Sequence, residues 1–162
     1  MTLLVIVPAW FILQSKSSFI QYDPAETHAT LAGIQQQVDA LGAGGGQVLF
    51  ITQRHLIAMK MLTGVKLIPQ YEREELMEMA MADNEQYLQV FYADLRSHRF
   101  AAIIVDPLQV NYLGSAYPLG EENDAWDRRV AKPILCNYRQ QIAFPSDQIV
   151  IYVPQSGVAQ CP

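Results

Sequence analysis

Charged residues are scarce in this chain, and positive charge is the scarcer sign. Charged side chains make up 17% of the 162 residues, with 11 Lys and Arg against 16 Asp and Glu, for a formal net charge of −5. The sequence has no basic run and no stripe of interleaved basic and aromatic residues. Because nucleic-acid binding depends on neutralising phosphates with Lys and Arg, we expect no nucleic acid among the partners. The 51% hydrophobic content is typical of a folded domain.

Cysteine is almost absent, and the two that occur, Cys136 and Cys161, stand far apart. The sequence has no CxxC, no HExxH and no close pair of histidines, so we expect no metal site. The spacing of the two cysteines leaves two interpretations open. They pair in a disulfide, or one is a small buried apolar side chain and the other a tail residue.

The apolar run at the start of the chain is too short to cross a bilayer, which requires about 20 such residues. It extends from Leu3 to Leu13 and has neither a basic leading region nor a small-residue cleavage site, so a secretory signal fits poorly. Trp10 and Phe11, followed by Lys16, are typical of an interfacial anchor. Three interpretations remain: the last turns of a truncated transmembrane helix, which we favour, a buried strand, or a peripheral membrane anchor.

Glycines cluster between Gly42 and Gly46, next to the apolar run Val48–Ile51. In nucleotide-binding loops such glycines follow a strand and open a helix, so that helix-end N–H groups face phosphate. Here the order is reversed, because the glycines follow a predicted helix and precede a predicted strand. We therefore expect a flexible connection at this point, no nucleotide site, and no cofactor.

Apolar runs alternate with helical patterns along the chain. An Asp23 cap and Pro24 predict the start of a helix that ends at Gly42. Further helices are predicted at 54–62, at 72–81, after an Asn84 cap, and from Glu121. Strands are predicted at 48–51, 65–68, 101–105 and 148–153. This order predicts an α/β fold: three layers, doubly wound and Rossmann-like, with a mainly parallel sheet of about four strands. The last strand is allowed to run antiparallel at an edge.

The same pattern predicts the domain organisation. The predicted parts are an apolar segment at 1–15, the end of a transmembrane helix in the favoured interpretation; a linker at 16–22; the α/β domain at 23–154; and a disordered tail at 155–162.

Polar side chains follow the predicted strands, where ligands bind in sheets of this kind. The candidate ligand-binding residues are Gln53, Arg54, His55, Glu72, Arg73 and Asp106. The acidic segment of Glu121, Glu122, Asn123 and Asp124 can reach the same edge. Each candidate also has a structural interpretation: His55 as a surface residue, Asp106 as a turn or cap before Pro107, and the arginines as partners of the acids.

Patterns that carry catalysis are missing. Ser115 follows Gly114 but lies in no GxSxG turn, and no cysteine has a histidine nearby in sequence. Adjacent carboxylates such as Glu121 and Glu122 point in different directions on a helix. We therefore name no catalytic residue.

The chain contains, in order, the segments VLFITQRH, LIPQYEREELMEMAM, FYADLRSHRFAAIIVDP, GEENDAW, KPILCNY and IVIYVP. Together, over residues 22–154, they resemble the C-terminal soluble domain of bacterial multi-pass membrane glycosyltransferase-like proteins. These belong to the superfamily that includes protein mannosyltransferases and uses polyprenyl-phosphate sugar donors. The resemblance lies in the pattern of segments, since no single motif is diagnostic.

The resemblance implies a place on the extracytoplasmic side of the cell membrane and a parent that transfers sugar to an acceptor. In that superfamily the acidic catalytic residue lies in an early loop among the membrane helices, which this chain lacks. The resemblance therefore implies an accessory domain without catalysis, attached to the membrane through the N-terminal segment and in contact with the transmembrane part of its parent. A stand-alone α/β enzyme or small-ligand-binding protein is the alternative.

Overall fold

The computed structural model describes residues 24–156. The helices are α1 (Pro24–Gly42), α2 (His55–Ala58), α3 (Arg73–Met81), α4 (Glu85–Arg96), α5 (Gly120–Trp126) and α6 (Lys132–Asn137). The strands are β1 (Gln47–Phe50), β2 (Phe100–Val105), β3 (Tyr138–Phe144) and β4 (Ile149–Pro154). A π-helical turn at Asp127–Ala131 joins α5 to α6, and 3₁₀ turns lie at Pro69–Tyr71 and Pro145–Asp147. The apolar segment, the linker, the Asp23 cap and residues 157–162 lie outside the described residues.

The four strands form one mixed sheet in the order β1-β2-β4-β3. Only β1 and β2 are parallel; β4 is antiparallel to both β2 and β3. The predicted α/β class is confirmed, whereas the predicted mainly parallel, Rossmann-like sheet is wrong. The last strand is antiparallel as allowed, but it lies inside the sheet and β3 takes the edge. The short connection at Pro145–Gln148 makes β3 and β4 antiparallel neighbours. The buried, apolar β4 takes the inner position, and the more polar β3 takes the edge.

Helices cover both faces of the sheet, as the alternation of side chains along the strands shows. In β2, Ala102 and Ile104 belong to the core on the α1 face, together with Ile34 of that helix. Ile103 belongs to the core on the other face, with Leu76 of α3. Side chains that alternate between two buried faces explain why these strands are continuously apolar.

Residues 65–68, predicted as a strand, form an irregular segment, so this prediction is wrong. Val65 packs against the core on the α1 face, and Ile68 packs against the core on the opposite face. The segment therefore carries the chain from one side of the sheet to the other and cannot pair as a strand. Pro69, which has no N–H to donate, ends the run.

Strand β3 was missed because its sequence looks like a surface segment. It begins at Tyr138, directly after α6, without an intervening glycine or proline. Residues 139–141 are polar and exposed, as suits a strand at the edge of a sheet. A register irregularity between Gln140 and Ile142 further disturbs the alternation that a strand prediction depends on.

The glycine cluster closes α1 and leads into β1, in the predicted order. Gly45 has φ +77°, a left-handed conformation that glycine adopts without strain. A Cβ on Gly46 would lie 2.4 Å from the Cβ of Ala101 in the neighbouring strand. The glycine cluster therefore allows a tight turn before β1 and a close approach between β1 and β2.

Asn84 caps the start of α4, as its local sequence predicts. Its side-chain oxygen accepts a 3.1 Å hydrogen bond from the backbone N–H of Tyr87, so the predicted cap of α4 is confirmed. Within residues 24–156, no helix combines the length and the apolar character needed to span a bilayer.

Candidate ligand-binding cleft at the carboxyl edge

A cleft of about 360 Å³ opens where β1 and β2 end, and we call it the carboxyl-edge cleft. Its lining residues are Ile51, Thr52, Gln53, Arg54, His55, Glu72, Arg73, Glu74 and Asp106. All six candidate residues from the sequence are among them. The structure therefore brings together side chains from three separate segments of the chain.

Glu72 and Arg73 reach this edge by a route that the sequence did not predict. The sequence pattern places them after a strand at 65–68, which does not form. Instead, the backbone N–H of Arg73 donates a 3.2 Å hydrogen bond to the carbonyl of Ile51, just beyond β1. This bond places the start of α3 beside the end of β1, so the location was right although the reason was wrong.

Two ion pairs cross the cleft. Arg54 Nη1 lies 2.7 Å from Glu72 Oε2, and Arg73 Nη1 lies 2.7 Å from Asp106 Oδ2. The side chain of Arg54 is 17% exposed, whereas that of Arg73 is 51% exposed and also lies 5.8 Å from the ring centroid of Trp126. The cleft thus presents guanidinium donors and carboxylate acceptors, of which Arg54, Glu72, Arg73 and Asp106 are matched in pairs and Glu74 belongs to neither pair.

Thr52 contributes the most unusual group in the cleft. The residue is only 9% exposed, and its Oγ1 has no hydrogen-bond partner within the described part of the chain. Buried polar atoms are nearly always paired, so this hydroxyl departs from the rule, and because the oxygen itself is shielded from solvent, a ligand would reach it only after the cleft wall rearranges. The next residue, Gln53, has φ 57°, a left-handed turn that redirects the chain from β1 into α2. Thr52 was not among the predicted site residues, because nothing in its local sequence indicates an unpaired hydroxyl.

The acidic residues at the start of α5 do not line the cleft. The Asp124 carboxylate accepts hydrogen bonds from the backbone N–H groups of Leu113, at 2.7 Å, and Gly114, at 3.0 Å. These bonds, led by that from Leu113, lower the pKa of Asp124 from its usual value. The buried Asp127, which the sequence did not single out, accepts a 2.6 Å bond from the N–H of Asn111. Both carboxylates therefore hold the segment between β2 and α5 in place.

A larger cleft, of about 500 Å³, lies at the opposite edge of the sheet. The glycine cluster lines it, together with Lys66 and Arg99. Arg99 already contacts Asp94 at 2.6 Å and Gln47 at 3.1 Å. Its size alone does not make this cleft a site, since no unpaired buried polar group faces it among the described residues.

No metal-binding cluster of three or more His, Cys, Asp or Glu occurs within residues 24–156. Cys136 is disulfide-bonded, which decides between the two interpretations of that residue; Cys161 lies outside the described residues.

Comparison with known families, curated proteins and solved structures finds no match to this chain. The glycosyltransferase-like resemblance therefore stays a prediction.

Proposed function

We propose that this chain is the accessory, non-catalytic domain of a membrane glycosyltransferase-like protein, and that it positions an acceptor or a partner on the extracytoplasmic side of the cell membrane. The pattern of segments over residues 22–154 supports this proposal. The apolar residues Leu3–Leu13 provide for attachment to the membrane. The disulfide at Cys136 is typical of proteins outside the cytoplasm.

Charge pairing in the carboxyl-edge cleft is the observation that carries the proposal. Each carboxylate of the pairs Arg54–Glu72 and Arg73–Asp106 is engaged by a guanidinium at 2.7 Å. The pairs offer hydrogen-bonding groups without net charge, which suits holding a ligand better than attacking one. A domain that binds and orients, while chemistry occurs elsewhere in a larger protein, fits this arrangement.

Two experiments test the proposal. Sequencing the DNA upstream of the Met1 codon is expected to reveal many apolar segments in the same reading frame. The purified chain, incubated with polyprenyl-phosphate sugar and an acceptor peptide, is expected to neither hydrolyse the donor nor transfer the sugar. Turnover that disappears in Asp106→Asn or His55→Gln would show that the domain is itself an enzyme.

The alternative is a stand-alone α/β enzyme or small-ligand-binding protein that uses the carboxyl-edge cleft. The unpaired Thr52 hydroxyl favours it, because a ligand that displaces the side chains covering this oxygen would supply its missing hydrogen-bond partner. The paired charges favour an uncharged, hydroxyl-bearing ligand over an anion. Thermal melting with millimolar myo-inositol or inorganic phosphate tests this alternative. Stabilisation by myo-inositol that Thr52→Val abolishes would support it, and calorimetry is expected to show no tight binding of ATP or NAD.

A further inference from the structure

Exposed apolar side chains are concentrated on the segment between β2 and α5. Tyr112, Leu113, Tyr117 and Leu119 are 47%, 36%, 62% and 73% exposed, and we call these four residues the carboxyl-edge patch. The segment leaves the carboxyl end of β2, so the patch lies at the same edge of the sheet as the carboxyl-edge cleft.

The patch is held in place by hydrogen bonds. Asp124 and Asp127 bind three backbone N–H groups of the segment at 2.6–3.0 Å. A Cβ on Gly120 would lie 2.0 Å from the Gly114 carbonyl oxygen, so the segment packs tightly on the start of α5. The fold therefore builds an ordered surface that exposes apolar side chains.

Leu119 shows that this exposure carries a conformational cost. It has φ 57°, a left-handed conformation that is unfavourable for a leucine, and it is the most exposed residue of the patch. Strained residues of this kind cluster at functional surfaces. A strained backbone and an exposed apolar side chain both disfavour the free domain. Contact of Leu119 with an apolar partner explains why the fold keeps them.

The chain enters the domain at this same edge. The hydroxyl of Thr30, in the first half of α1, donates a 2.7 Å hydrogen bond to Asp147. Asp147 stands just before β4, whose beginning pairs with the end of β2 through Val150 and Val105. The start of α1 is therefore near the carboxyl ends of β1 and β2. Residues 14–23, which follow the apolar run, span at most about 35 Å when fully extended.

We propose that the carboxyl edge of the sheet faces a lipid bilayer, with the carboxyl-edge patch in the interfacial layer. The proposal rests on the proposed membrane attachment of Leu3–Leu13, and it adds the orientation of the domain. Tyrosine rings suit the headgroup level of a bilayer, and the Arg128 guanidinium lies 5.5 Å from the ring centroid of Tyr112. Glu121 and Glu122 flank the patch and would repel anionic lipids, so a zwitterionic surface is the matching partner. A ligand in the carboxyl-edge cleft then lies close to the membrane.

Fluorescence quenching by lipid tests the orientation. The full chain and the variants Tyr117→Trp and Val90→Trp are mixed with phosphatidylcholine vesicles that carry bromine on the acyl chains. Val90 is the matched control, because it is 56% exposed but lies on α4, away from the patch. Trp10 in the apolar run already contributes quenched emission, so relative to the unmodified chain Tyr117→Trp is expected to raise the quenched emission by up to about twofold, and Val90→Trp to give no increase.

Flotation of the same vesicles separates this proposal from the one it rests on. If both variants float with the vesicles, but Tyr117→Trp is quenched no more than Val90→Trp, the orientation is overturned and membrane attachment stays intact. A chain that does not float overturns both. Sedimentation that shows a dimer of the free chain, lost in Tyr117→Ser with Leu119→Gly, assigns the patch to a second copy and also overturns the proposal. Circular dichroism melting checks that each variant is folded.

Discussion

Thr30 and Asp147 stand 117 residues apart in sequence, yet the hydroxyl of Thr30 donates a 2.7 Å hydrogen bond to the carboxylate of Asp147. The bond joins α1 to the connection between β3 and β4. Thr30 is buried. It lines a small third cleft together with Gln53 and His55, which also line the carboxyl-edge cleft. One hydrogen bond therefore connects α1 to the hairpin of β3 and β4 next to the candidate site.

Replacing Thr30 with valine keeps the shape of the side chain and removes the donor. We expect Thr30→Val to lower the free energy of unfolding by about 1.5 kcal/mol, because hydrogen bonds to charged groups contribute about that much. Urea denaturation measures the loss. Thr63→Val, at an exposed position, is the control and is expected to change stability by less than about 0.5 kcal/mol. Equal losses in the two variants would contradict a specific role for the bond.

Two glycines of the same cluster are expected to respond oppositely to alanine. Gly46→Ala places a Cβ 2.4 Å from the Cβ of Ala101, so β1 or β2 must shift, at a cost of about 1–3 kcal/mol. Gly42→Ala meets no atom within 4 Å at the end of α1, and we expect a gain of about 0.5 kcal/mol. Thermal and urea denaturation of both variants measure the difference. A tolerated Gly46→Ala would refute the close approach of the two strands.

The two ion pairs of the carboxyl-edge cleft are expected to differ in strength. Double-mutant cycles with alanine should give a coupling of about 1 kcal/mol for Arg54–Glu72 and about 0.3 kcal/mol for Arg73–Asp106. The reason is solvent screening: the Arg54 side chain is 17% exposed and that of Arg73 is 51% exposed, a larger difference than the opposite one between Glu72, at 47%, and Asp106, at 34%. Repeating both cycles in 1 M salt should reduce the weaker coupling further. A stronger coupling for Arg73–Asp106 would be inconsistent with the exposure of the two pairs.

The segment that carries the carboxyl-edge patch is expected to become less ordered at acid pH. The backbone N–H of Leu113 leads the hydrogen bonds that lower the pKa of Asp124 in the folded chain. Because the folded pKa lies below the unfolded one, the stabilisation is complete above the ordinary aspartate pKa of about 3.9. It is lost as the pH falls through the lower, folded value.

Hydrogen exchange of the Leu113 and Gly114 amides between about pH 2 and pH 6 provides the measurement. After correction for the intrinsic pH dependence of exchange, both amides should lose protection at the acid end of this range. Asp124→Asn is the control, because an amide does not titrate, and its protection should be independent of pH. Protection of the native chain that is constant down to the lowest pH would show that the carboxylate does not hold this segment.

Local signals in the sequence were sufficient for most elements. Pro24 opens α1 and Asn84 caps α4, because a helix end depends on contacts within a few residues, and the continuously apolar run before Asp106 indicates the buried strand β2. Local signals failed where a segment takes its structure from distant partners. Residues 65–68 have the composition of a strand but cross between two cores, and residues 139–141 look like a loop but pair with β4.

The candidate site was predictable in composition but not in arrangement. The rule that ligands bind at the carboxyl ends of strands selected Arg54 and Asp106, and both line the cleft. Glu72 and Arg73 were selected for the wrong reason, since a hydrogen bond to Ile51 places them there. The unpaired hydroxyl of Thr52 became visible only when the atoms around it were in place.

The sequence by itself determined the α/β class, the positions of most helices and three of the strands, and the order in which the glycine cluster meets β1. The spacing of hydrophobic residues and the identity of capping residues involve positions a few residues apart, so both can be read from the sequence alone. The tertiary structure decided the direction of β4, the edge position of β3 and the unpaired hydroxyl at the end of β1. These features depend on contacts between residues that are far apart in sequence. Strand pairing, for example, is set by hydrogen bonds between distant segments and by side-chain packing across them.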